Sequence, residues 1–386
     1  MPRTIIDVHV IQTVPPSNLN RDDTGSPKTA TYGGVRRARV SSQAWKRATR
    51  DAFENLLDGA ELGVRSKRVV ELVAEQITAQ DQALTPRAKE LAAAVLLAAG
   101  IKTTPPRKAK PGEEATGESG YLIFFSRNQI RRLAELAIEA VRAAPEGKPK
   151  IDGREAKRRA DEQHSVDVSL FGRMVAEVTE LNVDAAVQVA HALSVHAVTN
   201  EYDYFTAVDD HKKADTDEDA GAGAGAGMIG TVEFNSSTLY RYATLDVDRL
   251  RDNLGDDDVT RRATEAFVRA FVSSMPTGKQ NTFANRTLPD AVLVVARDSQ
   301  SISFVGAFED AVTADEEGGR VAGSIRRLAE HGRELHEAYD ETPVAGWSVG
   351  VGAKADPLAA LGTRGSLDTA IAAVGALVDQ RSGSAS

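Results

Sequence analysis

Lys46, Arg47 and Arg50 recur at spacings that bring three cations to one side of a helix, and Gln43 joins them. At about 100° per residue, Gln43, Arg47 and Arg50 fall within about 100° of arc from Lys46, while Trp45, Ala48, Ala52 and Leu56 lie on the opposing side. Such an arc suits a phosphodiester chain, because each ammonium or guanidinium group that meets a phosphate displaces counterions and ignores base identity. The bland alternative is a solvated amphipathic face. Ser41 or Ser42 can cap the helix, and the same positive end is suited to phosphate.

Other chemistry is weaker. Asp22 and Asp23, beside Arg21 in a Pro/Gly-containing loop, have the oxygen ligands a hard divalent cation prefers, and a metal-dependent endoribonuclease using them is the alternative function. Adjacent aspartates in such loops more often cap turns, and no further acid or histidine stands at a spacing that completes a site. His191/His196 and His331/His336 are five apart, about 140° around a helix, and make no metal face. Gly278-Lys279 lacks the rest of a phosphate-loop signature. Cysteine is absent, which excludes disulfides, thiolate zinc sites and thiol nucleophiles. No metal and no cofactor are expected.

The elements that must position these groups read as an α+β chain. Residues 4–12 form a first strand, with Ile6, Val8 and Val10 on one face and Ile5, Asp7, His9 and Ile11 on the other. Residues 13–40 lack periodicity and read as a long ordered loop. After the helix from Ser41, residues 61–165 read as a mostly helical insertion; Ser126 with Gln129 makes a capping-box pattern. Its second basic cluster includes Lys157, Arg158 and Arg159, ahead of a strand-like Val166–Phe171. A helix is expected near residues 183–198. Then Tyr202–Val208 and Met228–Phe234 flank an acidic, Gly/Ala-alternating connector, which reads as a projecting hairpin with a mobile tip. Helices over 259–275, 324–339 and 366–378 and strands over 291–296 and 344–351 complete the pattern.

With 386 residues, 41% of them hydrophobic, the chain can bury a large core. The longest apolar run, Leu91–Ile101, is too short to cross a bilayer, so a cytoplasmic protein without membrane contact is expected. The net charge of −9 hides an asymmetry: residues 1–50 hold nine basic against three acidic residues, and residues 201–260 five against fifteen. Overall acidity does not exclude nucleic acid, because distant charge is screened within about 8 Å at physiological salt.

The ordered blocks Asn20-Arg21-Asp22-Asp23, Lys28, Gly33-Gly34, Arg36-Arg37-Ala38-Arg39, Ser41-Ser42-Gln43 and Lys46-Arg47 with Arg50 resemble the CasC-type backbone subunit of the type I-E CRISPR Cascade complex. Gly172-Arg173-Met174, residues 203–210, Gly230–Phe234 and Tyr240-Arg241-Tyr242 extend that resemblance over most of the chain. It implies a hand-shaped scaffold with no enzymatic activity: a modified RNA-recognition-motif (ferredoxin-like) palm (1–60, 166–201, 243–386), helical fingers (61–165) and a thumb hairpin (202–242). Copies would stack along a guide RNA and display its bases to target DNA in antiviral defence. They would assemble with the large, small, guide-processing and guide-end-binding Cascade subunits. The resemblance implies that Asn20, Arg21, Lys28, Ser41, Gln43, Lys46, Arg47, Arg50 and Arg173 contact the guide, joined by Phe205, Thr206 and Val208 of the hairpin. Phe205 is either a wedge for a base step or a core residue at the hairpin base. Charge alone nominates Lys157, Arg158 and Arg159 for DNA, against a solvated charged helix.

Overall fold

The apolar opening run forms β1 (Ile5–Ser17), and it is longer and more deeply buried than an alternating strand would be. In the computed structural model, which describes residues 3–104, 117–120, 122–144, 149–174, 181–208, 226–314 and 316–383, this strand lies at the centre of a ten-stranded sheet. It is followed by β2 (Thr29–Tyr32), β3 (Val35–Val40) and α1 (Ser42–Ala52). The insertion contains β4 (Gly63–Ser66), α2 (Val69–Gln80), α3 (Ala88–Ala98), β5 (Thr103–Thr104), β6 (Glu118–Ser119), β7 (Ile123–Ser126), α4 (Arg127–Ala143) and α5 (Gly153–Asp161). The chain returns through α6 (Val166–Phe171), β8 (Val187–Val189) and β9 (Ala192–Ser194) into β10 (Glu201–Val208) and β11 (Ala226–Asp246). Last come α7 (Val247–Leu254), α8 (Asp257–Ser273), α9 (Gln280–Phe283), β12 (Ala291–Arg297), α10 (Gly319–Ala338), β13 (Ala345–Gly350), β14 (Thr363–Arg364) and α11 (Leu367–Gly383).

The main sheet runs β14-β13-β12-β1-β11-β9-β3-β2, with β8 and β10 also paired to β11. β1 sits between β11 and β12, and both its faces are covered by helices. Ile6, Val8 and Val10 pack with Phe267 and Phe271 of α8 and Val374 and Val378 of α11. On the other face Ile11, with Leu293 and Val295 of β12, meets Ile325 and Leu328 of α10. Each such side chain contributes roughly 1.5–3 kcal/mol on burial. The carboxylate on that second face is satisfied internally: Asp7 accepts from Arg297 Nε at 3.0 Å, Tyr242 Oη at 2.8 Å and the Ile302 amide at 3.0 Å.

The insertion has its own core, in which Val73, Ile77, Leu91, Val95, Leu133 and Ala137 interlock across α2, α3 and α4. Its capping box is present: Ser126 Oγ accepts from the Gln129 amide at 2.9 Å, and Gln129 Oε1 accepts from the Ser126 amide at 2.9 Å. The projecting hairpin is the β10–β11 pair, which ends at Val208↔Ala226. Its expected mobile Gly/Ala tip lies outside the described residues. β11 then continues into the sheet, where Asn235–Asp246 pairs with β1.

Three sequence expectations are corrected. Residues 13–40 are not one loop, because Gly33 and Gly34, at φ +57° and +74°, close a two-residue turn between β2 and β3. Residues 183–198 form β8 and β9 rather than a helix, since pairing with β11 and β3 overrides the helical propensity of their alanines. Val166–Phe171 is the short helix α6, ended by Gly172 at φ +80°. Among the described residues no helix is long and apolar enough to cross a membrane.

Candidate nucleic-acid interface

The orientation of α1 determines the candidate interface. Ser41 caps it, with Oγ accepting from the Ala44 amide at 3.4 Å, and the Ser41 amide donates to Asn20 Oδ1 at 2.9 Å. The loop carrying Asn20 and Arg21 is therefore tied to the start of the helix. On the inner side Trp45 is 1% exposed and the Arg241 guanidinium stacks on its ring at 3.7 Å. Arg241 also donates to Gln12 Oε1 at 2.5 Å and to the Phe271 carbonyl; burial pulls its pKa down to about 9.

The buried stripe of α1 runs through Trp45 and Thr49 to Phe53, not through Ala48, Ala52 and Leu56 as its pattern predicted. This rotation brings Lys46 and Arg50 to the edge of the buried stripe, half-buried, while Gln43 and Arg47 remain exposed. Burial lowers the Lys46 pKa. Arg50 lies over the Phe124 ring at 5.5 Å, and Arg47 pairs with Asp51 at 3.7 Å in an exposed contact worth at most about 1 kcal/mol.

Three adjoining depressions follow this surface. The first, about 470 Å³, is lined by Gln43, Lys46, Arg47, Arg50, Arg65 and Arg173, with Phe124 and Met174 as apolar wall. The second, about 590 Å³, shares Gln43 and Arg47 with it and adds Asn20, Ser41, Ser274 and Arg286. The third, about 520 Å³, shares Leu19 and Asn20 with the second and reaches Arg21, Asp22, Asp23 and Gly278. Together they make a groove that runs beside α1 and on past Asn20, with cations on both walls, into which seven of the sequence-nominated residues converge.

The others are placed differently. Lys28 is half-buried beside Asn20 and Arg39 in a shallow side pocket. Arg173 borders the groove, but its guanidinium turns inward: it donates to the carbonyls of Leu181 at 2.6 Å and Phe124 at 3.2 Å and pairs with Asp161 at 3.1 Å. With 2% of its side chain exposed and its pKa pulled down to about 10 by burial, it braces the groove wall. Arg158 pairs with Glu155 and Glu162, and Arg159 with Glu155 and Glu139, so these two DNA candidates are neutralised by carboxylates; Lys157 is exposed. Asp22 is a turn former: Oδ1 accepts from the Thr24 hydroxyl at 2.7 Å and the amides of Thr24 and Ser26, and these bonds lower its pKa. Among the described residues no three His, Asp or Glu side chains converge as a metal ligand set.

Phe205, Thr206 and Val208 lie on β10, outside the groove. The Phe205 ring covers Gly230 of the partner strand, where a Cβ would come within 2.5 Å of it, and it remains 40% exposed. Tyr202 and Tyr204 are more exposed still, at 68% and 64%. Thr206 and Val208 pair with Ile229 and Ala226.

Sequence reasoning missed Arg65, Arg286 and His191. Arg65 and Arg286 reach the groove from distant parts of the chain and carry no local signal. His191 accepts from the Ser42 amide through Nδ1 at 3.1 Å, and its pKa is lowered by burial, Arg39 and Lys28.

The chain is thus an α+β protein with a central sheet, a helical insertion and a basic groove beside one helix. The sequence matches the CT1975-like protein family over residues 6–373, and the chain belongs to that family. A chain of a "CRISPR RNA-guided surveillance complex, pre-nicking" is similar at 37% identity and TM-score 0.81, covering 96% of this chain and 100% of that one. A chain of another "CRISPR RNA-guided surveillance complex" is similar at 31% identity and TM-score 0.70, covering 96% and 99%. No curated protein matches the sequence. The resemblance to CasC-type subunits is borne out.

Proposed function

We propose that this chain is a guide-RNA-binding backbone subunit of a type I-E Cascade surveillance complex, acting in CRISPR antiviral defence as a scaffold and not as an enzyme. The observation that carries the reading is the groove along α1, where Asn20, Arg21, Gln43, Lys46, Arg47 and Arg50 converge on a chain of this family. Phosphate contacts position a strand without reading its bases, as a subunit serving any guide requires.

On this reading the main sheet is the RNA-recognition-motif palm, the insertion the fingers and the β10–β11 pair the thumb. Copies stack head to tail in the cytoplasm, beside the large, small, guide-processing and guide-end-binding subunits. Phe205, flanked by Thr206 and Val208, separates guide bases of a neighbouring interval; the rest stay available to target DNA, with exposed Lys157 turned toward that strand. The test is Lys46→Glu/Arg47→Glu/Arg50→Glu, expected to abolish guide-RNA association at physiological salt while leaving the circular dichroism spectrum unchanged. Undiminished binding overturns the reading.

A further inference from the structure

We propose that Arg286 is a second-wall phosphate clamp, which closes on the guide backbone from the side of the groove opposite α1; this rests on the guide-RNA reading. Gln43 and Arg47 supply one wall of the middle depression, and the segment after α8 supplies the other. Arg286 is exposed there and has no carboxylate partner among the described residues. Its neighbours hold the backbone firmly. Asn285, 2% exposed, donates to the Gly278 carbonyl at 3.4 Å. Thr287 donates through Oγ1 to the Thr13 carbonyl at 2.7 Å, and its own carbonyl accepts from Gln12 Nε2 at 2.9 Å.

A cation with no carboxylate partner among the described residues, carried by a segment anchored on both sides, keeps its charge for a ligand and loses little backbone freedom on binding. Ser274, on the same wall, is 5% exposed with its hydroxyl oxygen enclosed below the surface, which leaves Arg286 as the group that meets a ligand there. The guanidinium fork is suited to two oxygens of one phosphodiester. The ligand class is therefore the sugar-phosphate backbone of single-stranded RNA, held between Arg47 and Arg286.

The test is fluorescence anisotropy of the full chain with a labelled single-stranded RNA across a salt series, comparing Arg286→Gln with the remote Arg333→Gln. The clamp predicts about tenfold or more weaker binding for Arg286→Gln, as for loss of a charge-assisted hydrogen bond. It also predicts a slope of log affinity against log salt flatter by about 0.7, one phosphate on a single strand. Arg286→Lys keeps the charge and restores the slope. Weaker binding with an unchanged slope, or a slope as flat in Arg286→Lys as in Arg286→Gln, overturns the clamp. If Arg286→Gln matches Arg333→Gln while the α1 triple reversal abolishes binding, the clamp fails and the guide-RNA reading stands. If the triple reversal also binds normally, both fail.

Discussion

The guanidinium of Arg241 sits 3.7 Å from the ring centre of Trp45, and this stack fastens α1 to the central strand β11. Cation–π attraction is strengthened where water is excluded, and both residues are 1% exposed. The contact sets which side of α1 faces out, linking a core interaction to the placement of Lys46, Arg47 and Arg50. Trp45→Ala removes the ring and leaves a buried cation without its stacking partner. We expect a loss of about 3–5 kcal/mol in stability, measured by urea unfolding. Affinity for single-stranded RNA should fall as well, because α1 loses its fixed rotation.

Gly278 tests the coupling between the two loops of the groove. A Cβ there would fall 2.1 Å from the Leu19 carbonyl oxygen and 3.0 Å from that of Asn18, both backbone atoms. Gly278→Ala must therefore displace the segment that carries Asn20 and Arg21. Weaker RNA binding with a nearly native circular dichroism spectrum is the expected outcome; unchanged affinity would show that the segment's position is unimportant.

Acid should loosen the insertion through His164. Gln129 uses Oε1 to accept from the Ser126 amide, so its Nε2 donates to His164 Nδ1 at 3.0 Å and requires that nitrogen to be unprotonated. Burial, then Arg173, pulls the His164 pKa down to about 4. The unfolded chain, with an ordinary histidine near 6.5, binds the proton first as pH falls. Stability is therefore full above about pH 6.5 and declines as pH falls toward 4, by at most about 3 kcal/mol. Urea midpoints at pH 7 and pH 4.5 should separate more for the native chain than for His164→Asn; equal separation would contradict this assignment.

Phe205 has little to do for the isolated fold. It is 40% exposed on a two-stranded projection, so Phe205→Ala should change stability by no more than about 0.5 kcal/mol. On the thumb reading the same variant weakens the packing of successive copies on a long RNA far more than binding of one copy to a short RNA. Sedimentation on RNAs of two lengths distinguishes these effects.

Much of the frame was legible because periodicity records burial. The strand beginning at Ile5, the cap at Ser41, the capping box at Ser126 and the helices around Phe267 and Leu328 each follow from local pattern. The hairpin closed by Gly33-Gly34 was legible in principle, since two adjacent glycines supply the positive φ its turn needs, but the surrounding prolines and glycines masked it. Residues 187–194 read as helix because their burial comes from strands distant in sequence. The candidate site divides similarly. The spacing of Lys46, Arg47 and Arg50 identified the basic helix, yet nothing local distinguishes the outward Arg47 from Arg37 and Arg173, which turn inward. Arg37 is fully buried and donates to the carbonyls of Ser194, Phe308 and Glu309. Arg286 became visible only when the fold brought it opposite α1.

Native mass spectrometry of the chain on single-stranded RNAs of increasing length and two unrelated sequences addresses the central proposal most directly. A backbone-gripping scaffold predicts bound copies that increase in whole steps with RNA length and equally on both sequences, with the steps lost in Lys46→Glu/Arg47→Glu/Arg50→Glu. One copy bound at every length, or a count that follows base sequence, would contradict it.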